Sequence, residues 1–216
     1  MYVAPAVAAV RALWDCSGSR AGQAIGAQLS AFADALSAAH LAREPAAEVL
    51  VSNWLDAPRW RSHDQSTQDE PETASLSSPD ARLIAARDHG FTSWSTVGGE
   101  CHPVFELAVD AVVLGRIDEL NRLLTDAPDL ISQRSSYGHR ATLLHYTAAN
   151  GVEIRRQVVP ANAGEIAARL LDAGADPAAR LHAYGATHET LAMLTSSAHP
   201  RAAGVAADIE RVLAAH

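Results

Sequence analysis

Two short stretches of this chain bring together residue types that bind or move charge. The segment Val152-Glu153-Ile154-Arg155-Arg156-Gln157-Val158-Val159-Pro160-Ala161-Asn162 carries two adjacent guanidinium groups, a carboxylate and an amide donor. Paired arginines present planar forks that match a carboxylate or phosphate better than lysine does, so Arg155, Arg156 and Gln157 are candidates for holding a small polar or anionic molecule. The same residues equally suit a solvated loop that clasps its neighbour through Glu153 and the arginines. The second stretch, Tyr137-Gly138-His139-Arg140, reads as a loop tip, and Tyr184-Gly185 with His188 repeats the combination further along. Exposed tips on a rigid scaffold commonly carry function, so Tyr137, His139, Arg140, Tyr184 and His188 form a candidate recognition surface. Tyr146 and Asn150, four apart on one helical face, are candidates to line an adjoining groove or to pack inward. For acid–base chemistry the candidates are His139, Glu153 and Asp110, with Asp88-His89 a further titratable pair.

Other chemistries lack their residues. There is no Gly-x-Ser-x-Gly elbow, and Cys101 beside His102 is sequence adjacency without implied geometry. Neither a His-Glu-x-x-His pattern nor a cysteine pair at ligand spacing occurs, so no metal site is expected. No glycine-rich dinucleotide loop or phosphate-binding Lys-Ser/Thr motif is present, and no cofactor is expected. The net charge of -8 and the scattered Lys and Arg argue against nucleic acid as partner. Cys16 and Cys101 suit reduced thiols in a cytoplasmic protein. No stretch approaches ~18 uninterrupted apolar residues, so no membrane span is expected.

The elements that must position these residues are helices. Apolar residues make up 48% of the 216 positions and aromatics 5%, with alanine abundant, which favours close-packed helices over strands. Helices are expected at about residues 5–14, 20–42 and 45–56, with Pro45 in the first turn of the third. Residues 57–79 are rich in Ser, Gln, Asp, Glu, Thr and Pro and read as a polar linker. Ser78-Pro79-Asp80 supplies helix-start chemistry for 81–89, Gly90 can end that helix, and Phe91 and Trp94 are expected to pack down beyond it.

From Pro103 onward the chain is self-similar. Thr142-Leu143-Leu144-His145 opens a helix continuing Tyr146-Thr147-Ala148-Ala149-Asn150-Gly151; Glu165 to Asp172 forms a second, followed by Ala173-Gly174-Ala175-Asp176-Pro177. This segment resembles the ankyrin repeat: a Thr-Pro-Leu-His opening, a small-residue inner helix ending at Asn-Gly, an outer helix with paired leucines and a Gly-Ala-Asp turn. His145, Ala148, Gly151, Leu170, Leu171, Gly174 and Asp176 carry the match, with Leu143 in place of the usual proline. Ala111 to Leu124 resembles the same unit without its signature, and Thr190 to Ala198 with Asp208 to His216 resembles a C-terminal cap. The stretch Pro79 to Trp94 is similar to a short helix with a Gly-Phe-x-Ser-Trp ending that precedes ankyrin arrays in bacterial proteins. Thr142 and Thr190 lie about 15 residues further apart than the ~33-residue ankyrin period, most of the excess falling between Gly151 and Glu165.

The resemblance implies an all-α fold, an ankyrin-type helical repeat solenoid of about three repeats (residues 80–216) behind an N-terminal helical region (1–56). It implies that His145 is structural, its ring nitrogens linking successive turns. It implies a non-enzymatic binding or scaffold protein that recognises a protein partner through finger loops and inner helices. The alternative is a small-molecule-binding protein or a cofactor-independent acid–base enzyme. In that reading the N-terminal helices and the 152–164 insertion close a pocket over the repeat groove, because a flat protein-binding array needs neither.

Overall fold

A computed structural model describes residues 1–20, 22–55 and 75–216. Four helices build the first half: α1 (Pro5–Cys16), α2 (Ile25–Leu41), α3 (Pro45–Trp54) and α4 (Ser78–Asp88). Proline opens α1 and α3, where its fixed φ is already helical and its missing N–H loses no bond. In α1 the buried residues Val7, Val10, Leu13 and Trp14 recur at helical spacing, as do Ile25, Leu29, Phe32 and Leu36 in α2. Helix α4 starts three residues before the expected Ala81: Ser77 is the N-cap and its hydroxyl accepts the Asp80 N–H. Most of the expected linker, residues 56–74, lies outside the described residues, while Ser78 and Pro79 belong to α4. The four helices pack on one another around a first core that also takes in Tyr137, Ile154 and Val158.

The second half begins with α5 (Pro103–Val113) and α6 (Ile117–Asp126), joined through Gly115 at φ 70°. A 3₁₀ segment, Leu143–Ala148, packs on α5, and α7 (Ala163–Asp172) packs on that segment. Next come an antiparallel hairpin, β1 (Arg180–Ala183) and β2 (Ala186–Glu189), then α8 (Thr190–Ser196), α9 (Ala198–Ala202) and α10 (Ala206–Ala214). Helix α8 packs on the 3₁₀ segment, and α10 on both α7 and α8. Apolar residues of α5, α6, the 3₁₀ segment, α7, β1, α8 and α10 form a second continuous core. The chain is mostly helical, and no helix among the described residues is long and apolar enough to cross a membrane.

Two local expectations are corrected. The helix expected over 142–151 is a 3₁₀ turn: His145 N–H donates to the Thr142 carbonyl and Ala149 N–H to that of Tyr146. Ala149 then leaves it at φ 47°, because the chain must turn inward at once to place Val152 and Glu153 in the interior. The residues around Leu181 to His188, expected as loop, form the hairpin, with Arg180 opposite Glu189 and Ala183 opposite Ala186. Tyr184 and Gly185, at φ 53° and 77°, make the two-residue turn whose twist matches its strands.

Candidate functional site

Between the two cores lies a layer of charged and aromatic side chains, and the 152–159 segment runs through it. The segment's Val159 exchanges both backbone hydrogen bonds with Tyr2, at 2.7 and 3.0 Å, and its 3₁₀ turn Ile154–Arg156 packs on α1. Glu153 sits at the centre, fully buried. Its Oε2 accepts from His139 Nε2 at 3.0 Å, and its Oε1 faces Arg156 Nη1 at 3.0 Å and Arg155 Nη2 at 3.5 Å. Burial alone raises the Glu153 pKa, but the His139 hydrogen bond and the two arginine charges outweigh it and hold the carboxyl well below its ordinary value. The His139 tautomer follows from its other nitrogen, since Nδ1 accepts the Ala141 N–H at 3.1 Å and Nε2 therefore donates.

Arg156 contacts three carboxylates. Besides Glu153 it pairs with Glu106 of α5 and, at 3.0 Å, with Asp110. The Arg155 guanidinium carbon lies over the Trp14 ring of α1, 4.0 Å from its centroid, and the group donates to the Tyr137 hydroxyl, which in turn donates to Gln28 Oε1 of α2 at 3.1 Å. Burial pushes the Tyr137 hydroxyl pKa far up, so it stays a neutral donor. His89 stands edge-on to Tyr137, 4.7 Å between centroids, and gives its Nδ1 hydrogen to the Ala85 carbonyl. Burial lowers its pKa to about 3 and keeps it neutral. The His145 ring is structural: Nδ1 accepts from Thr142 N–H and Nε2 donates to the Ala179 carbonyl at 3.1 Å.

This layer corrects several sequence expectations. Tyr137 and His139, expected as exposed tips, are each 1% exposed, because α2, α4 and the 152–159 segment cover that loop. Arg155 and Arg156 are buried and paired with carboxylates of the same chain, so they offer no free fork to an anionic ligand. The insertion is an interior strap and not a solvated loop. Tyr146 points inward and is fully buried under Arg156. His139 and Glu153 are sealed from solvent, and a sealed dyad cannot exchange protons with a substrate. Asp110 is half-exposed at the layer's edge. Arg140, at φ 55°, remains exposed at its tip, with its carbonyl accepting from Arg134.

Close approach of two loops holds the layer shut. Gly138 N–H donates to the His89 carbonyl at 2.9 Å, and a Cβ on Gly90, at φ 78°, would lie 2.3 Å from the His139 nitrogen. Gly90→Ala is expected to cost about 2–3 kcal/mol, against about 1 kcal/mol for Gly18→Ala, whose φ is also 78° but which meets nothing within 4 Å. Urea unfolding of the two variants checks this, and equal losses would show that the loops separate easily.

Beside the layer an open cleft of about 810 Å³ separates the N-terminal helices from the hairpin. Trp54, Phe91 and Tyr184 give it aromatic walls, and Arg87, Asp88 and Gln157 give it polar ones. Tyr184 is 66% exposed, and its hydroxyl donates to Asn150 Oδ1 at 2.7 Å; Asn150 Nδ2 reaches Ser196 Oγ at 2.9 Å, which braces the hairpin against α8. Gln157 is tied to the Val152 carbonyl at 2.8 Å. His188, half-buried on β2, does not line the cleft, whereas Ala186 and Thr187 before it do. Asp88 borders the cleft, with its side chain entirely buried. Its Oδ1 accepts from Trp54 Nε1 and from the Ile154 N–H, each at 3.3 Å, while its Oδ2 has no hydrogen-bond partner. Burial raises its pKa to about 7.

The tertiary fold thus gathers Gln157 and Tyr184, from the residues singled out in sequence, into the cleft, with Asn150 bracing Tyr184. It sends Tyr137, His139, Tyr146, Glu153, Arg155 and Arg156 into the sealed layer. Trp54 and Arg87 carried no signal in the sequence beyond helical spacing; Asp88 was visible as a titratable residue, and Phe91 as an anchor. Among the described residues no group of three or more His, Cys, Asp or Glu side chains is placed to hold a metal ion. Comparison of the chain with models of protein families, with curated proteins and with solved structures finds no match.

Proposed function

We propose that this chain is a binding protein in which a short ankyrin-type repeat stack is covered by its own N-terminal helices, the cleft at their junction receiving a small molecule with an apolar body and a polar head. The repeat reading is supported by the pairing of α5 with α6, of Leu143–Ala148 with α7, and of α8 with α10, each resting on the next. It is further supported by the His145 ring bridging Thr142 and Ala179, and by Gly151 and Gly174 at φ 72° and 96°, where the repeat pattern places its turns.

The observation that carries the binding reading is the cleft itself: aromatic walls contributed by both halves of the molecule, with Arg87 and Gln157 among its polar lining. Concave sites with apolar walls and few convergent polar groups are where small ligands bind. A protein-recognition surface built from Tyr137, His139 and the inner segments is less favoured, because the chain's own helices occupy it. Catalysis by His139 and Glu153 is less favoured for the same reason.

Saturation-transfer NMR with a panel of single-ring aromatic fragments tests the proposal. Several fragments are expected to bind, and Ala186→Trp, which adds an indole at an exposed position on the cleft wall, is expected to abolish their signals while leaving helical circular dichroism unchanged. Absence of binding, or binding indifferent to Ala186→Trp, overturns it.

A further inference from the structure

The cleft reading leaves open which head group its ligand carries. Among the residues that line the cleft, Arg87 is the one whose side chain holds a permanent charge. It stands in the last turn of α4 and is half-buried. Its Nη1 donates to the Trp54 carbonyl at 2.5 Å, which fixes the guanidinium against the end of α3. That bond uses one of the five N–H donors an arginine carries. Nε and Nη2 hydrogen-bond to no described residue and are not buried, and Arg87 forms no ion pair with a carboxylate among the described residues. Arg155 and Arg156, by contrast, are sealed inside and paired with Glu153, Glu106 and Asp110.

Resting on the cleft reading above, we infer that the ligand is an aryl- or alkyl-carboxylate, its two oxygens accepting from Nε and Nη2 of Arg87 and its apolar body lying against Trp54, Phe91 and Tyr184. An apolar body that fills the cleft strips water from Arg87, and a desolvated cation is costly without a counter-charge. A carboxylate replaces the lost water and supplies the charge, because its two coplanar oxygens match the edge of a guanidinium. A hydroxyl offers an acceptor without charge, and an ammonium offers neither an acceptor nor the opposite charge.

Two further groups in the lining bear on an anion. Asp88 is the cleft's one carboxyl, and burial raises its pKa to about 7, so at pH 6 it is mostly protonated and opposes an anion little. His182, exposed on β1, is the other basic side chain of the lining. Its backbone N–H donates to the His139 carbonyl at 2.8 Å, so His182→Ala removes the ring without removing the bond that ties the hairpin to the layer.

The probes are 3-phenylpropanoate, 2-phenylethanol and 2-phenylethylamine, three molecules of similar shape and different heads, titrated by NMR at pH 6 into the full chain and into Arg87→Gln, Arg87→Lys, His182→Ala and Ala186→Trp. The acid is expected to bind about tenfold tighter than the alcohol, and the amine more weakly than either. His182→Ala is expected to keep that order. Arg87→Gln is expected to bring the acid to within about twofold of the alcohol while leaving the alcohol's own affinity unchanged, and Arg87→Lys to keep only part of the preference, because it retains the charge without the planar fork. An acid preference that survives Arg87→Gln overturns the inference; should that variant not fold, a preference unchanged in Arg87→Lys does so. If the alcohol or the amine binds as well as the acid in the wild type and Ala186→Trp abolishes all three, the inference fails and the cleft reading stands. If none of the three binds, or Ala186→Trp changes nothing, both fail.

Discussion

Replacing Arg156 with alanine is expected to lower stability by about 3–5 kcal/mol, the range found when one partner of a buried ion pair is removed, and to drop the melting temperature by about 10 °C. The reason lies in what the deletion leaves behind. Glu106 is 3% exposed and Arg156 is its ion-pair partner, so its charge would stay in the interior without a counter-ion or would be neutralised by a proton. Glu153 keeps His139 and Arg155 but loses Arg156, one of the charges that offset its burial. Asp110 is half-exposed and rehydrates readily, so Asp110→Ala is expected to cost at most about 1 kcal/mol. In the Arg156→Ala background, Glu106→Gln is expected to recover part of the loss, because it removes the stranded charge while keeping a similar shape. Urea unfolding of the single and double variants measures each term. A loss below about 1 kcal/mol for Arg156→Ala would mean that water reaches the layer and that the two cores are not sealed against each other.

Stability is expected to fall as the pH is lowered from 6 to 5, by about 1 kcal/mol, with close to one proton taken up on unfolding. Three buried groups set this balance. His89 and His145 have pKa values lowered by burial from 6.5 to about 3 and about 4. In this window they stay neutral in the folded chain and take up protons in the unfolded one, so the stability they contribute above 6.5 is lost on acidification. Asp88 works in the opposite direction. Its pKa is raised by burial from 3.8 to about 7, so in the same window it holds a proton when folded and releases it when unfolded. Its contribution is present at low pH and disappears as pH rises through 7. Two protons gained and one released leave about one. His199, lowered more modestly by burial, acts in the histidines' direction.

The discriminating variant is Asp88→Asn, which removes the opposing group and is expected to double the pH dependence to about two protons. Urea midpoints at pH 5.0, 5.5 and 6.0 give the slope. A wild-type slope near zero would show that the folded chain protonates one of the two histidines, and a stability that rises on acidification that it protonates both. An unchanged slope in the variant would show that Asp88 is already ionised in the folded state.

Local features of this chain are readable from its residues because they are set by neighbours a few positions away. Pro5 and Pro45 mark helix starts, the recurrence of Val7, Val10 and Leu13 marks a buried face, and Gly90 and Gly174 mark turns at positive φ. The structural role of His145 came from the resemblance alone; the structure shows its ring as a local cap that accepts the Thr142 N–H. Element boundaries slipped where a tertiary demand overrode local preference. The alanine-rich run after Thr142 has good helix formers but is held to one 3₁₀ stretch by the strap that follows it, and Tyr184-Gly185 became a hairpin turn because strands formed on either side.

The composition and periodicity by themselves determined a mostly helical chain and the helix starts at Pro5 and Pro45, while the second helix, expected from residue 20, begins at Ile25. What the tertiary structure decided is which polar residues meet solvent. Arg156 and Glu106 lie 50 positions apart, and Tyr137 and Gln28 lie 109 apart; no spacing rule connects them, and their encounter turned an apparent anion-binding pair and an apparent recognition tip into the filling of an interior layer. Burial is a property of what covers a residue, and the cover here comes from helices in the other half of the chain. For the same reason the cleft, with Trp54 and Asp88 on one side and Tyr184 on the other, exists only once the two halves are packed together.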